Sequence, residues 1–160
     1  MNSLRKIVVI IGLCFLSITN SICATEFKWQ DYKPYSIKQV MAEFDPIKSI
    51  NGTVYDFGFI KYKVKVINSG KSRDIDKNSL DFISKWSKAA GQDPKMADSY
   101  KHEILVQEES QEYWLPIQEI LMKPFEEEVK VSKKVNLFIM FLGIMKNGNH
   151  LFIIDEFQGE

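Results

Sequence analysis

Few side chains in this chain suit chemistry that depends on one residue type at one spacing. Only two histidines occur, His102 and His150, against 21 acidic residues. His102-Glu103 opens like the helical zinc-protease motif, in which a second histidine follows one turn later so that both imidazoles share a face. Val106 stands in that place, so the motif fails. Asp74-Ile75-Asp76-Lys77-Asn78 alternates oxygen donors as the start of a calcium loop does. Such a loop then needs glycine at its sixth position and glutamate at its twelfth; here those places hold Ser79 and Lys85, and the lysine repels a cation. There is no Gly-x-Ser-x-Gly elbow for acyl transfer, and no phosphate loop or dinucleotide fingerprint. The sequence therefore assigns no catalytic residue, no metal ligand and no cofactor. Glycoside hydrolysis stays open as the alternative, because it asks only for two positioned carboxylates. The densest acidic clusters, Glu126 to Glu128 and Asp155-Glu156, read as solvated charge.

Two groups of residues suit binding. Trp29, Tyr32 and Tyr35 can offer flat faces to a sugar ring or a partner protein, or can pin an N-terminal arm onto the core. Lys61, Lys63 and Lys65 recur with the period of a strand. They form a positive stripe that suits an acidic partner, or a solvated face that protects a sheet edge from aggregation.

The elements that would position these residues follow from periodicity. Residues 25–35 form the aromatic arm. A helix is expected over 36–45, where Ser36-Ile37-Lys38-Gln39 is a capping box and Tyr35 with Val40 a hydrophobic staple. Ile37, Val40, Met41 and Phe44 share its buried face, and Pro46 ends it. A strand is expected over 54–67, with Tyr62, Val64 and Val66 facing one way and the three lysines the other. A polar loop, Asn68 to Asp76, leads to a second helix over 79–90, capped by Asn78 and ended by Gly91. The segment 100–157 is β-rich: strands near Tyr100 to Gln107 and Tyr113 to Gln118, then a helix opening at Lys123-Pro124. It ends in a hairpin over 135–157 turned by Asn147-Gly148, the strongest short hairpin signal. Within that hairpin, Val135 to Met145 is apolar throughout most of its length and reads as a strand buried on both faces. The expected architecture is one small α+β domain, a curved antiparallel sheet or small barrel packed against two or three helices, behind an N-terminal signal peptide.

That signal peptide is expected over residues 1–24. Arg5 and Lys6 supply its basic start, and Ile7 to Ile18 an apolar stretch of about twelve residues. Cleavage is expected after Ala24, or after Cys23 with Ser21 three residues before the cut. The apolar run is too short for a membrane anchor, which takes about twenty residues. Ile22 before Cys23 disfavours a lipid anchor. Removing this segment takes away both cysteines, Cys14 and Cys23, and leaves a mature domain at 25–160 with two more acids than bases. Disulfides, cysteine-zinc sites and thiol nucleophiles go with them. A thiol-free exported domain fits the bacterial periplasm or exterior better than a eukaryotic secretory route, although Asn51-Gly52-Thr53 is a glycosylation sequon. The charge balance argues against nucleic acid and against an anionic membrane. The expected function is a non-enzymatic protein that binds a protein or cell-wall component, as an envelope-assembly accessory, an inhibitor or immunity-type protein, or a wall-associated module.

Overall fold

Ser36 opens the first helix as its sequence foretells: its hydroxyl accepts the Gln39 N–H, and the Gln39 side chain accepts the Ser36 N–H. A computed structural model describes residues 27–49 and 52–160. The signal peptide, both cysteines and the sequon asparagine Asn51 lie outside the described residues. The helix, α1, spans Ile37–Phe44 and buries Ile37 and Val40. Before it, a two-residue strand β1 (Lys33–Pro34) pairs in parallel with the long strand β3 (Lys61–Asp74).

β3 is shared between two partners. Residues Lys61 to Ile67 pair with β6 (Lys134–Ile144), and Ile67 to Asp74 pair with β4 (Tyr100–Glu108). β4 continues antiparallel into β5 (Gln111–Gln118), and β6 into β7 (His150–Gly159). A parallel contact between β5 and β7, at Ile117 and Ile154, closes five strands into a barrel in the order β3, β4, β5, β7, β6. A three-stranded meander, a helix and a hairpin that returns to the third strand make the connectivity of OB-type Greek-key barrels. That connectivity states architecture alone, because such folds host unrelated functions. A further short strand, β2 (Val54–Tyr55), lies on the end of β6.

Inside the barrel, Val64, Val66, Ile104, Val106, Leu137 and Ile154 belong to one core. Two helices close its ends. α1 lies by the start of β7, with Phe44 against Phe141 and Asp45 beside His150. The helix α3 (Glu119–Glu128) lies by the end of β7, with Phe125 edge-on to Phe157. A second core lies outside the barrel, where α2 (Lys77–Ala89) sets Phe82, Ile83 and Trp86 against Met140, Leu142, Leu151 and Ile153. β6 is therefore buried on both faces, as its apolar run implies. No helix among the described residues is long and apolar enough to cross a membrane.

Several boundaries differ from the sequence expectation, each for a local reason. The strand expected over 54–67 breaks between β2 and β3. The Asp56 carboxylate accepts the Gly58 N–H, a turn that competes with ladder bonding. The expected loop at Asn68 is instead a bulge within β3: the register slips between Asn68 and Lys71, and Gly70 takes φ +73°. Asn68 is buried there, accepting from the Gly70 N–H and donating to the Val129 carbonyl. α2 begins two residues early because Asp76, not Asn78, is its cap, taking the Asn78 and Ser79 N–H groups. α3 begins at Glu119, so Pro124 sits inside it rather than opening it. Its missing N–H falls opposite Ile120, which is 78% exposed, where water can take the carbonyl. The sheet is also not purely antiparallel, because α3 carries the chain across before β6, leaving β5 and β7 pointing the same way.

Candidate functional site

Phe138, on the outer face of β6, gathers most of the residues that the sequence singles out for binding. Its ring is 1% exposed. Trp29 meets it edge-on at 4.5 Å and Tyr32 at 5.1 Å, with Phe27 at 5.7 Å. The Lys63 ammonium lies 5.6 Å from the same ring, and the Lys61 ammonium 5.2 Å from that of Tyr32. So the arm and the lysine row meet at one point: Lys61 lies over the arm's Tyr32, while Lys63 lies over Phe138 of the barrel wall itself. Lys65, further along, pairs with Glu160. Tyr35 stands apart, edge-on to Tyr62 on the other side of β3. Trp29 stays 44% exposed although it touches Phe138.

Beside this cluster opens a cavity of about 320 Å³. Asp155 forms its polar floor with Gln118, and Phe27, Phe59 and Trp86 contribute walls. Asp155 is the extra residue of a bulge: Phe138 pairs with Glu156 and Ile139 with Ile154, which leaves Asp155 out of register. Its side chain stays on the outer face of β7, the face of Leu151 and Ile153, while Phe152 and Ile154 face the barrel core. The Tyr32 hydroxyl donates to Asp155 Oδ2 at 2.8 Å. Burial raises the Asp155 carboxyl above the usual range, against the opposing pull of Tyr32 and Lys61. Burial and the same carboxylate push the Tyr32 phenol up, so it remains a donor. Phe59, at the rim, holds φ +51° and is 39% exposed, with its ring 5.4 Å from Trp86. A bulky residue in the left-handed region is strained, and such strain gathers at functional positions. The Trp86 indole N–H donates to the Asp56 carbonyl, fixing the wall behind it.

A second cavity, of about 340 Å³, lies where the first halves of β5 and β7 diverge, against the start of α2. Glu103 is almost fully buried in its wall, and Arg73 Nε and Nη2 both reach Glu103 Oε2 at 2.7 Å. The guanidinium also lies over the Trp114 ring at 4.1 Å. Burial raises Glu103 despite this arginine. Asp76 is lowered, because bonds from Ser79 and Asn78 outweigh its burial. Both carboxylates are already engaged within the fold, Asp76 as the cap of α2 and Glu103 as the partner of Arg73.

The histidines lie apart. His102 Nδ1 is 3.6 Å from Asp74 at the end of β3, and His150 is enclosed near Asp45 and Phe141. Among the described residues no three histidine, cysteine or acidic side chains come together as a metal site would require. Asp155, read from sequence as solvated charge, is the correction that matters most: it lies in the floor of a cavity. Phe59 carried no sequence signal beyond the neighbouring Gly58.

No protein-family model matches this chain, and no curated protein matches it in sequence.

Proposed function

We propose that this chain is an exported, non-enzymatic protein that binds another macromolecule through the aromatic surface around Phe138. The observation that carries this reading is the exposure of large rings beside the cavity. Phe59 of the cavity lining is 39% exposed, and Trp29, whose ring meets Phe27 of that lining, is 44% exposed. Isolated exposed apolar residues are ordinary, whereas neighbouring aromatics left in water beside a cavity mark interaction surfaces. The engaged carboxylates support the non-enzymatic part, since Asp76, Glu103 and Glu108 each hold a helix or an arginine in place. Export, to a periplasm or the exterior, rests on the N-terminal sequence. Intact-mass measurement of the purified protein tests it, with a chain beginning at Thr25 or Ala24 expected and one beginning at Met1 against it. Capture from an envelope fraction tests binding. A protein or wall fragment retained by the native chain and lost with Trp29→Ala supports the reading; no retained partner counts against it.

A second reading, a small hydrolase, draws on the Arg73 cavity. Two carboxyl groups there have ionisation pushed in opposite directions, the arrangement that separates an acid from a base. Glycan hydrolysis abolished by Glu103→Gln, in a variant that still folds, would favour it.

A further inference from the structure

We infer that the cavity floored by Asp155 is a binding site for one neutral sugar ring of a glycan, held between Phe59 and the side chains of Asp155 and Lys61. This rests on the binding-protein reading above and names the ligand class. The volume of about 320 Å³ lies near the lower limit for small-molecule sites, enough for a single ring with its hydroxyls. The chemistry of the walls selects among ligands of that size. Phe27 and Phe59 provide apolar surface suited to the C–H face of a ring, with the buried Trp86 behind Phe59. The floor offers a carboxylate and the amide of Gln118, with a second amide, Gln92, in the lining. These are planar groups that pair with adjacent hydroxyls, and an ionised carboxylate keeps acceptor capacity after taking the Tyr32 proton in a hydrogen bond.

Charge narrows the choice further. A cationic ligand would meet the Lys61 ammonium, and an anionic one the Asp155 carboxylate, both of which line the cavity. Their charges cancel, so a neutral polyhydroxylated ring fits best. Two features order the residues of this site. Tyr32 from the arm covers Asp155 on the outer face of β7 and fixes its orientation, and Phe59, held at φ +51°, lines the cavity with its ring against Trp86.

The test titrates the purified chain with chitotetraose and cellotetraose and follows the tryptophan indole N–H signals by two-dimensional NMR. Binding is expected to shift Trp86 and leave Trp114, which sits against Arg73, unmoved. Asp155→Asn and Phe59→Gly are each expected to weaken binding about tenfold or more, as loss of a charged acceptor or a stacking wall does. Phe59→Gly separates binding from folding, because glycine accepts the left-handed backbone and its melting temperature should hold. No Trp86 shift with either sugar at about 10 mM, or equal shifts in both variants, overturns the inference. Retention on isolated peptidoglycan, displaced by the soluble sugars, assigns a polymer; sugar binding without retention assigns a free saccharide. A partner still captured from the envelope fraction by Phe59→Gly would remove this site and leave the broader reading standing.

Discussion

The carboxylate of Glu108, at the end of β4, accepts the backbone N–H of Ile37 at 2.9 Å across 71 residues of sequence. Its other oxygen accepts from Lys38 at 3.1 Å. The barrel thus supplies an acid to the first turn of α1, where free donors and the helix dipole favour a negative charge. Ser36 caps the same end locally, so one terminus is held from within the helix and from outside it.

Glu108→Ala should destabilise the fold by about 2–3 kcal/mol, the value of charge-assisted bonds lost at a partly buried helix end. Ser36→Ala should cost about 1 kcal/mol. Urea denaturation of both variants checks the ranking; an equal or reversed order would show that Glu108 does not anchor α1.

Asp155→Asn should raise stability at pH 7.5 by no more than about 2 kcal/mol, with the gain vanishing near pH 4. The sign follows from burial. The folded carboxyl titrates above its unfolded value, so the native state binds more protons between the two. Stability from this group is complete below the unfolded pKa and falls as pH rises through the folded one. Asparagine keeps an acceptor for Tyr32 and removes the charge. Melting temperatures across pH 4–8 provide the measurement, and a flat difference between variant and parent would contradict it.

Arg73→Ala should cost about 2–4 kcal/mol at neutral pH, because it leaves Glu103 buried without its counter-charge. The loss should shrink in acid, where a protonated Glu103 needs no cation. Arg73→Ala with Glu103→Gln should recover much of the stability. A pH-independent loss, or no recovery, would place the arginine's contribution in its packing on Trp114 instead.

Gly143→Ala should be the most damaging single methyl in the domain. Its φ is +143°, and a Cβ there would stand 2.1 Å from the Val54 carbonyl oxygen. A loss above about 3 kcal/mol, or insoluble protein, is expected. Gly91, at φ +68° with open space around it, should lose only about 1 kcal/mol on the same change. Thermal unfolding of the pair distinguishes a steric clash from left-handed strain.

The sequence is most legible where a single period or a short motif decides. Ser36 through Gln39 announces α1, the apolar run through Phe138 announces β6, and Asn147-Gly148 announces the hairpin turn, with Gly148 at φ +82°. It is least legible where a contact spans the chain. Nothing local reveals that Glu108 caps a helix from the start of the domain, or that Ile117 meets Ile154. The candidate site shows the same division. Tyr32 and Lys61 stand out by type and spacing, and Asp155 keeps the outward alternation of Leu151 and Ile153, but nothing local reveals that the arm returns across the chain to cover it. Phe59 is hidden for a different reason, since its backbone conformation runs against its own residue type.

The sharing of β3 between β6 and β4 also sets a timetable. A chain made from its N-terminus has β3, β4 and β5 early, yet the first half of β3 must wait for β6. The arm must wait longer, since Tyr32 finds Asp155 across 123 residues. Ladders this distant in sequence close slowly, in milliseconds to seconds, because the intervening chain must be looped before any contact repays it. The last two strands therefore govern the rate, and the aromatic arm is among the last parts to dock.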